Sequence, residues 1–303
     1  MGSLNLDQLR TFADVVASGS FSATAARHNV SQPAVSFQVK QLEKRLGVRL
    51  IERIGRKAMP TAAGSELLEH ATRIFGEVDA TLEAMTRHAG ETMGRVRLGT
   101  GATACIFLLP PLLRELRERF PDLEITVTTG NTLEIVKAVE ENILDIALVT
   151  MPASSRILSV EVVLEDEFVL VAQPGIDLPK RITPDQIKDL PLILFEPSGN
   201  TRRLVDQWLG DNGIAPNPVM SLGSVEAIKE LVGAGLGYAI LPSTAMRRTE
   251  PLASLIQRPL IPRLSRELAV VLRRDKVLHR GLREVAASLR RGLSPTPVLS
   301  RNS

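Results

Sequence analysis

Apolar residues recur at steps of three and four over the first ninety positions, and then the pattern changes. Leu6, Leu9, Phe12, Ala13 and Val16 share one helical face, behind Asn5-Leu6-Asp7-Gln8, which has the form of a capping box. Ser18-Gly19-Ser20 ends that helix, and an alanine-rich helix from Ser22 to His28 follows. Asn29-Val30 turns into a third helix. Ser31 is its expected N-cap, Pro33 lies in its first turn, and Val30 can staple onto Val35. Val35, Val39, Leu42 and Leu46 form the stripe to be buried. Three short helices with a tight turn before the last make a helix-turn-helix. Val48 to Arg53, a tip at Gly55-Arg56-Lys57 and a return to Pro60 read as a wing.

From Thr61 to Ala89 there is no proline, and Leu67, Ala71, Ile74, Val78, Leu82, Met85 and Ala89 alternate steps of three and four. This predicts a long helix with an apolar seam of about three heptads. A small winged module is too short to cover that seam, so a second chain is the expected cover. Gly90-Glu91-Thr92-Met93-Gly94 has the composition of a hinge.

Downstream, apolar runs alternate with helical stretches. Strands are expected at Val96–Gly99, Leu123–Thr128, Leu144–Thr150, Phe168–Ala172, Leu192–Phe195 and Gly237–Leu241. Helices are expected at Leu108–Phe120, Leu133–Glu141, Arg202–Asn212 and Val225–Ala234. Such alternation predicts an open α/β sheet, which binds ligands beyond the carboxyl ends of its strands, at helix N-termini. Four loops at those positions are small and polar. They hold Gly101, Ala102 and Thr103; Thr129, Asn131 and Thr132; Ser198, Thr201 and Arg202; and Ser224. Each loop alone reads as a cap or turn. Four together favour a small polar or anionic ligand, with Arg202 able to pair a carboxylate if its side chain turns inward.

The third helix carries the other chemistry. Its outward face presents Gln32, Ser36 and Lys40, with Phe37, Gln41 and Lys44 beside them. Amides and hydroxyls suit base edges in a major groove, and Lys40, Arg53 and Arg56 suit phosphates.

Phe21-Ser22 through Leu42-Glu43, Leu50-Ile51-Glu52-Arg53 and Thr61-Ala62-Ala63-Gly64 resemble the N-terminal signature of the LysR-type transcriptional regulators. Phe37 and His28 depart from it: a polar or basic residue is usual at the first position and an apolar one at the second. Leu109-Pro110-Pro111-Leu112, Leu144-Asp145-Ile146-Ala147 and Gly235-Leu236-Gly237-Tyr238 with Leu241-Pro242 resemble that family's effector-binding domain. The resemblance implies an α+β multidomain chain. Residues 1–60 would form the winged helix-turn-helix DNA-binding domain, with Ser31, Gln32, Pro33, Ser36, Phe37, Lys40, Arg53 and Arg56 on DNA. Residues 61–90 would form a dimerising linker helix, and 91–303 a periplasmic-binding-protein-like effector domain. Its first subdomain would span about 95–164 and 267–291 and its second about 165–266, with crossovers near Val163–Glu167 and Arg266–Val271 and the effector between them. The implied partners are double-stranded operator DNA, a small-molecule effector and further copies of the chain, a homodimer assembling to a homotetramer.

Charge agrees with that division. The net charge of the 303-residue chain is +3, yet residues 1–60 hold nine Lys/Arg against four Asp/Glu, leaving the remainder net acidic. Hydrophobic residues make up 44% and aromatic ones only 3%, so the cores must be aliphatic. The single cysteine, Cys105, rules out an internal disulfide and fits a reducing compartment. No run approaches the ~20 apolar residues of a membrane span, and the N-terminus lacks signal-peptide form, so a cytoplasmic protein without membrane contact is expected.

Enzyme chemistry finds no support. Gly233-Ala234-Gly235-Leu236-Gly237 precedes a strand instead of following one, so it is no dinucleotide fingerprint. Gly-x-Ser-x-Gly and P-loop motifs are absent. His28, His70, His88 and His279 lack metal-ligand spacing, so no cofactor or metal is expected. Cys105 reads as core or pocket lining, since no second cysteine could resolve a disulfide. Arg273, Arg274, Arg280, Arg283, Arg290 and Arg291 read first as a solvated C-terminal helix face and second as a contact with DNA. The alternative to a ligand-responsive regulator is a solute-binding receptor module, and the winged N-terminus argues against it.

Overall fold

The computed structural model describes residues 4–55, 57–86, 93–246 and 255–293. Contacts divide the chain into two units, Met1–Ala84 and Met85–Ser303.

The first unit begins with α1 (Leu6–Ser18), α2 (Phe21–His28) and α3 (Gln32–Leu46). Each starts at a side-chain cap: Asn5, Ser20 and Ser31 accept from Gln8, Ala23 and Ala34 N–H. The capping box at Asn5 is only half made. Gln8 does not reciprocate, and its Oε1 is buried without a partner among the described residues. Leu9, Phe12, Val15, Val35, Val39, Leu42 and Leu50 form the core. Leu6, Val30 and Leu46, expected to be buried, remain about half exposed. They lie at helix ends, where no neighbouring element covers them, so the Val30 staple contributes little. His28 stands where an apolar residue was expected because its Nε2 lies 2.6 Å from Asp14 Oδ2, linking α2 to α1.

The wing is a hairpin of β1 (Ile51–Ile54) and β2 (Lys57–Pro60). It is anchored by Ala58 N–H donating to the Gly19 carbonyl. α4 (Ala62–Thr86) follows, and Thr61-Ala62-Ala63-Gly64 now has a physical meaning. Thr61 Oγ1 donates to the Arg49 carbonyl and accepts from Gly64 N–H. A Cβ on Gly64 would lie 2.1 Å from the Leu50 carbonyl oxygen, so only glycine lets α4 leave the wing this closely. The seam of α4 is partly claimed by its own module, contrary to expectation. Ala71 is buried, and Leu67, Leu68, Ile74 and Phe75 pack on the winged-helix core. The side chain of Leu82, with Ala89 and residues 90–92 of the expected hinge, lies outside the described residues.

The second unit contains β3 (Arg95–Thr100), α5 (Ala102–Phe107), α6 (Leu109–Arg119), β4 (Glu124–Thr129), α7 (Thr132–Glu140) and β5 (Ile146–Thr150). There follow β6 (Leu158–Ala172), β7 (Leu192–Phe195), α8 (Asn200–Asp211), β8 (Met220–Leu222) and α9 (Val225–Gly233). β9 (Tyr238–Pro242), β10 (Ile256–Pro259), β11 (Ser265–Arg273) and α10 (Arg280–Leu293) complete it. Strands run in the order β4-β3-β5-β11-β6-β9-β7-β8, with β10 also on β6. Parallel β4, β3 and β5 make one half, and parallel β9, β7 and β8 the other. The two antiparallel strands β6 and β11 pass between them. β6 pairs with β11 over 158–167 and with β9 over 168–171, so the chain crosses at Glu167/Phe168.

Each half is covered on both faces, which is why its parallel strands read as continuous apolar runs. Leu98, Ile146 and Leu148 pack under α6 and α10, while Val149 packs with Ile135 and Val139 of α7. Leu192 and Leu194 pack against Trp208 of α8, and Ile193 and Leu241 against Ile228 of α9. A Cβ on Gly99 would lie 2.5 Å from Leu144 Cδ1, so glycine there permits the close approach of that layer.

Candidate DNA-binding face and effector cleft

On the first unit, α3 and the wing enclose a concavity of about 360 Å3 that gathers Gln32, Ser36, Lys40 and Arg53. Gln32, Lys40 and Arg53 are exposed and Ser36 is half buried. The one acid in this concavity, Glu43, is occupied: its Oε1 accepts from Leu50 N–H at 2.8 Å and Ile51 N–H at 3.3 Å. That contact fixes where the wing leaves the helix. Ser31 serves as the α3 cap, Pro33 is exposed in the first turn, and Phe37 is 62% exposed outside the concavity. Arg56 lies outside the described residues. Arg49, which the sequence reading missed, is exposed and joins the concavity just before β1. Its place in the basic stretch of Lys44, Arg45 and Arg53 was the available signal.

In the second unit a cleft of about 280 Å3 opens at the carboxyl ends of β3, β4, β5 and β7. It is lined by Gly101, Ala102, Thr103, Thr129, Asn131, Thr132, Ser198, Thr201 and Arg202, nine of the ten residues expected there. Ser224 does not line it. Its Oγ caps α9 by accepting from Ala227 N–H, and the preceding Gly223 faces the cleft instead. Residues 102–104 are not a loop but the first turn of α5.

Five of the ten residues have side chains already engaged within the fold, Ser224 among them. Asn131 forms a reciprocal capping box with Glu134, and Thr132 Oγ1 donates to the Thr150 carbonyl. Arg202 turns away from ligand duty. Its Nε donates to Asp206 at 2.7 Å and its Nη1 to the Phe195 carbonyl at 2.5 Å and Ser221 Oγ at 3.3 Å. Thr201 Oγ1 accepts from Arg266 Nη1. What remains for a ligand are the hydroxyls of Thr103, Thr129 and Ser198, the exposed Glu196 carboxylate and the first-turn N–H groups of α5 and α8. The N-caps of those two helices, Gly101 and Gly199, carry no side chain to occupy them.

Arg266 was not foreseen. It is buried on β11, lines the cleft, and donates Nε and Nη2 to Asp166 Oδ2 at 3.0 and 2.9 Å. Asp166 also accepts from Ser243 Oγ, Thr244 N–H and Thr244 Oγ1. Burial lowers the affinity of Arg266 for its proton, and the Asp166 carboxylate opposes that loss. This ion pair sits on the two crossover strands, at the floor of the cleft. Asn200 Nδ2 donates to the Thr150 and Pro152 carbonyls, bridging α8 of one half to β5 of the other.

Other residues considered in the sequence have structural roles or stand alone. Cys105 is half buried on α5. His279 Nδ1 accepts from Leu282 N–H at the start of α10, and His88 lies outside the described residues. Among the described residues no group of three or more His, Cys, Asp or Glu is placed to hold a metal ion. Likewise, no helix there is long and apolar enough to cross a membrane.

Residues 6–65 match the family described as bacterial regulatory helix-turn-helix protein, lysR family, and residues 89–294 match the LysR substrate binding domain. The chain is 34% identical over 243 residues to the HTH-type transcriptional activator CmpR of Synechocystis sp., covering 80% of each protein. It is 32% identical over 282 residues to the uncharacterized HTH-type transcriptional regulator YeiE of Escherichia coli, covering 92% of this chain and 95% of that one. The crystal structure of CbnR, a LysR family transcriptional regulator, has the same fold, with a TM-score of 0.77 at 22% identity over 96% of this chain and 100% of that one. Full-length CbnR complexed with its target DNA superposes with a TM-score of 0.74 at 22% identity, over 95% of this chain and 100% of that one. With a winged helix-turn-helix, a two-halved α/β cleft and matches over both, this chain belongs to the LysR family: it is a DNA-binding transcriptional regulator with an effector-binding domain, not an enzyme.

Proposed function

We propose that this regulator couples a small polar or anionic metabolite in the cleft to the placement of paired winged helices on operator DNA. Gln32 and Ser36 meet base edges, while Lys40, Arg53 and Arg56 meet phosphates. The chain acts as a dimer through α4, assembling to a homotetramer, and works in the cytoplasm. Support for the dimer is a shallow apolar groove on α4 around Ile74 and Val78, edged by His70, Arg73, Glu77 and Thr81, which the winged module does not fill. Effector binding shifts the arrangement of the dimers and the bend in the DNA, through its differential affinity for the two arrangements.

The observation that carries the effector reading is the cleft itself. At about 280 Å3 it lies near the lower end of small-molecule pockets, ~300–1,000 Å3. Its remaining donors are hydroxyls and backbone N–H groups, and its two arginines are already paired with Asp166 and Asp206. Such a site grips a small oxygen-rich molecule by directional hydrogen bonds. The test is a thermal-shift screen of the full chain against polar and anionic metabolites. A ligand at ~100 times its Kd stabilises by ~2.7 kcal/mol. The same ligand must then change the footprint on a selected operator. A stabilising ligand that leaves DNA binding untouched would overturn the coupling of cleft to operator.

A further inference from the structure

The outward face of α3 carries one side chain that neither the fold nor hydrogen bonding explains. Phe37 is 62% exposed and belongs to none of the hydrophobic cores. Val35, Val39 and Leu42 define the buried side of the helix. At 3.6 residues per turn, Phe37 lies about half a turn away from them, at the centre of the face that points outward. Pro33, Lys40 and Lys44, one or two turns away along that face, are exposed as well. We propose that Phe37 reads the C5 methyl group of thymine in the operator's major groove. The inference rests on the reading of α3 as the helix that enters that groove.

The reasoning is chemical. A phenyl ring has no donor or acceptor, so it cannot read a base edge by hydrogen bonding. In the major groove the apolar feature open to such a ring is the thymine methyl. Water is a poor neighbour for both groups, and bringing them together removes both surfaces from it. Lys40 and Lys44 beside the ring supply charge complementarity to the phosphates flanking the groove. The nearest acid on the helix, Glu43, is held by the backbone of the wing and leaves this face without a competing carboxylate. A polar or basic side chain at this position would favour a purine edge; phenylalanine changes the preferred letter.

The test uses the full chain and an operator selected by it from random duplex DNA. Each thymine is replaced in turn by deoxyuridine, which removes the methyl group and nothing else. One or two thymines per half-site should weaken wild-type binding about three- to fivefold each, the value of one buried methyl. Phe37→Ala should bind the thymine operator more weakly, show no further loss with deoxyuridine at those positions, and melt at the wild-type temperature because the ring is exposed. Wild-type binding indifferent to every deoxyuridine, or the same losses in Phe37→Ala, would overturn the thymine reading while leaving α3 in the groove. Failure of the selection to return any preferred sequence would sink both. Phe37→Ala with unchanged DNA binding but weaker self-association would reassign the ring to a contact between copies and overturn the proposal.

Discussion

The Nζ of Lys229 lies 4.9 Å from the centroid of the Phe107 ring, and the pair joins the two halves of the effector domain. Phe107 ends α5, whose first turn lines the cleft, yet its ring is buried among Val171, Ile193 and Ile228 of the other half. Lys229, 1% exposed, also donates to Glu226 Oε1 at 3.1 Å and to the Ala245 carbonyl at 3.2 Å. A helix whose first turn lines the cleft is therefore pinned across the domain at its other end. Phe107→Leu and Lys229→Met in a double-mutant cycle should show a coupling of about 0.5–2 kcal/mol in denaturant unfolding. Strict additivity would mean that the cation and ring are neighbours without interacting.

Gln32→Ala should cost about 1–3 kcal/mol at the operator and relax preference at one base pair. Arg53→Ala should weaken all sequences alike and reduce the salt slope by about one. Binding titrations at several salt concentrations on selected and scrambled duplexes separate the two behaviours. Unchanged preference in Gln32→Ala would remove this residue from base readout.

The groove on α4 predicts that Val78→Glu lowers self-association. Sedimentation of the full chain should show a shift toward monomer, with operator affinity falling and the ligand-induced melting shift retained. Substitution at Ile74 is the poorer probe, because that side chain also packs on the winged-helix core. A Val78→Glu variant that sediments like wild type would place the dimer contact elsewhere.

Thr103→Val and Thr129→Val remove cleft hydroxyls while keeping side-chain shape. Each should reduce the effector response by about 1–2 kcal/mol with little change in apo melting temperature. Ser224→Ala is the counterpart: its hydroxyl caps α9, so it should lower stability by about 1 kcal/mol and leave the effector response intact.

Acid should destabilise the effector domain through Asp145. Its side chain is fully buried, which by itself would raise the pKa. Hydrogen bonds from Arg97 and Lys276 and the charges of both outweigh burial and hold the carboxyl below its usual range. Because the folded value is the lower one, this stabilisation is complete above the unfolded value of ~3.9 and is lost as pH falls through the folded pKa. Asp145→Asn should cost about 3–5 kcal/mol at neutral pH, having broken a buried pair, and flatten the acid limb of stability against pH. A parallel decline in both proteins would assign the acid limb to other groups.

Short-range features were legible in the sequence because their physics is short-range. The caps at Asn5 and Ser31, the buried residues Val35, Val39 and Leu42, and the strand at Leu192–Phe195 depend on neighbours within a turn or a strand. The loops that line the cleft were legible for the same reason, since small polar residues follow apolar strands where a parallel sheet ends. Tertiary structure decided which of those residues remain available. Arg202 and Ser224 look like ligand residues in isolation, and only their packed partners, Asp206, the Phe195 carbonyl and the first turn of α9, show them engaged in the fold. The Asp166–Arg266 pair joins positions one hundred residues apart, through a strand register that no local pattern encodes. β6 was legible only over its last third, because its first ten residues mix buried and charged exposed positions against β11. The seam of α4 was visible as a stripe, but how much of it the winged module claims depends on Gly64, where any Cβ would lie only 2.1 Å from the Leu50 carbonyl oxygen. Sequence determined the elements and the chemistry they carry; three-dimensional packing determined which polar groups satisfy one another and which are left to meet DNA or effector.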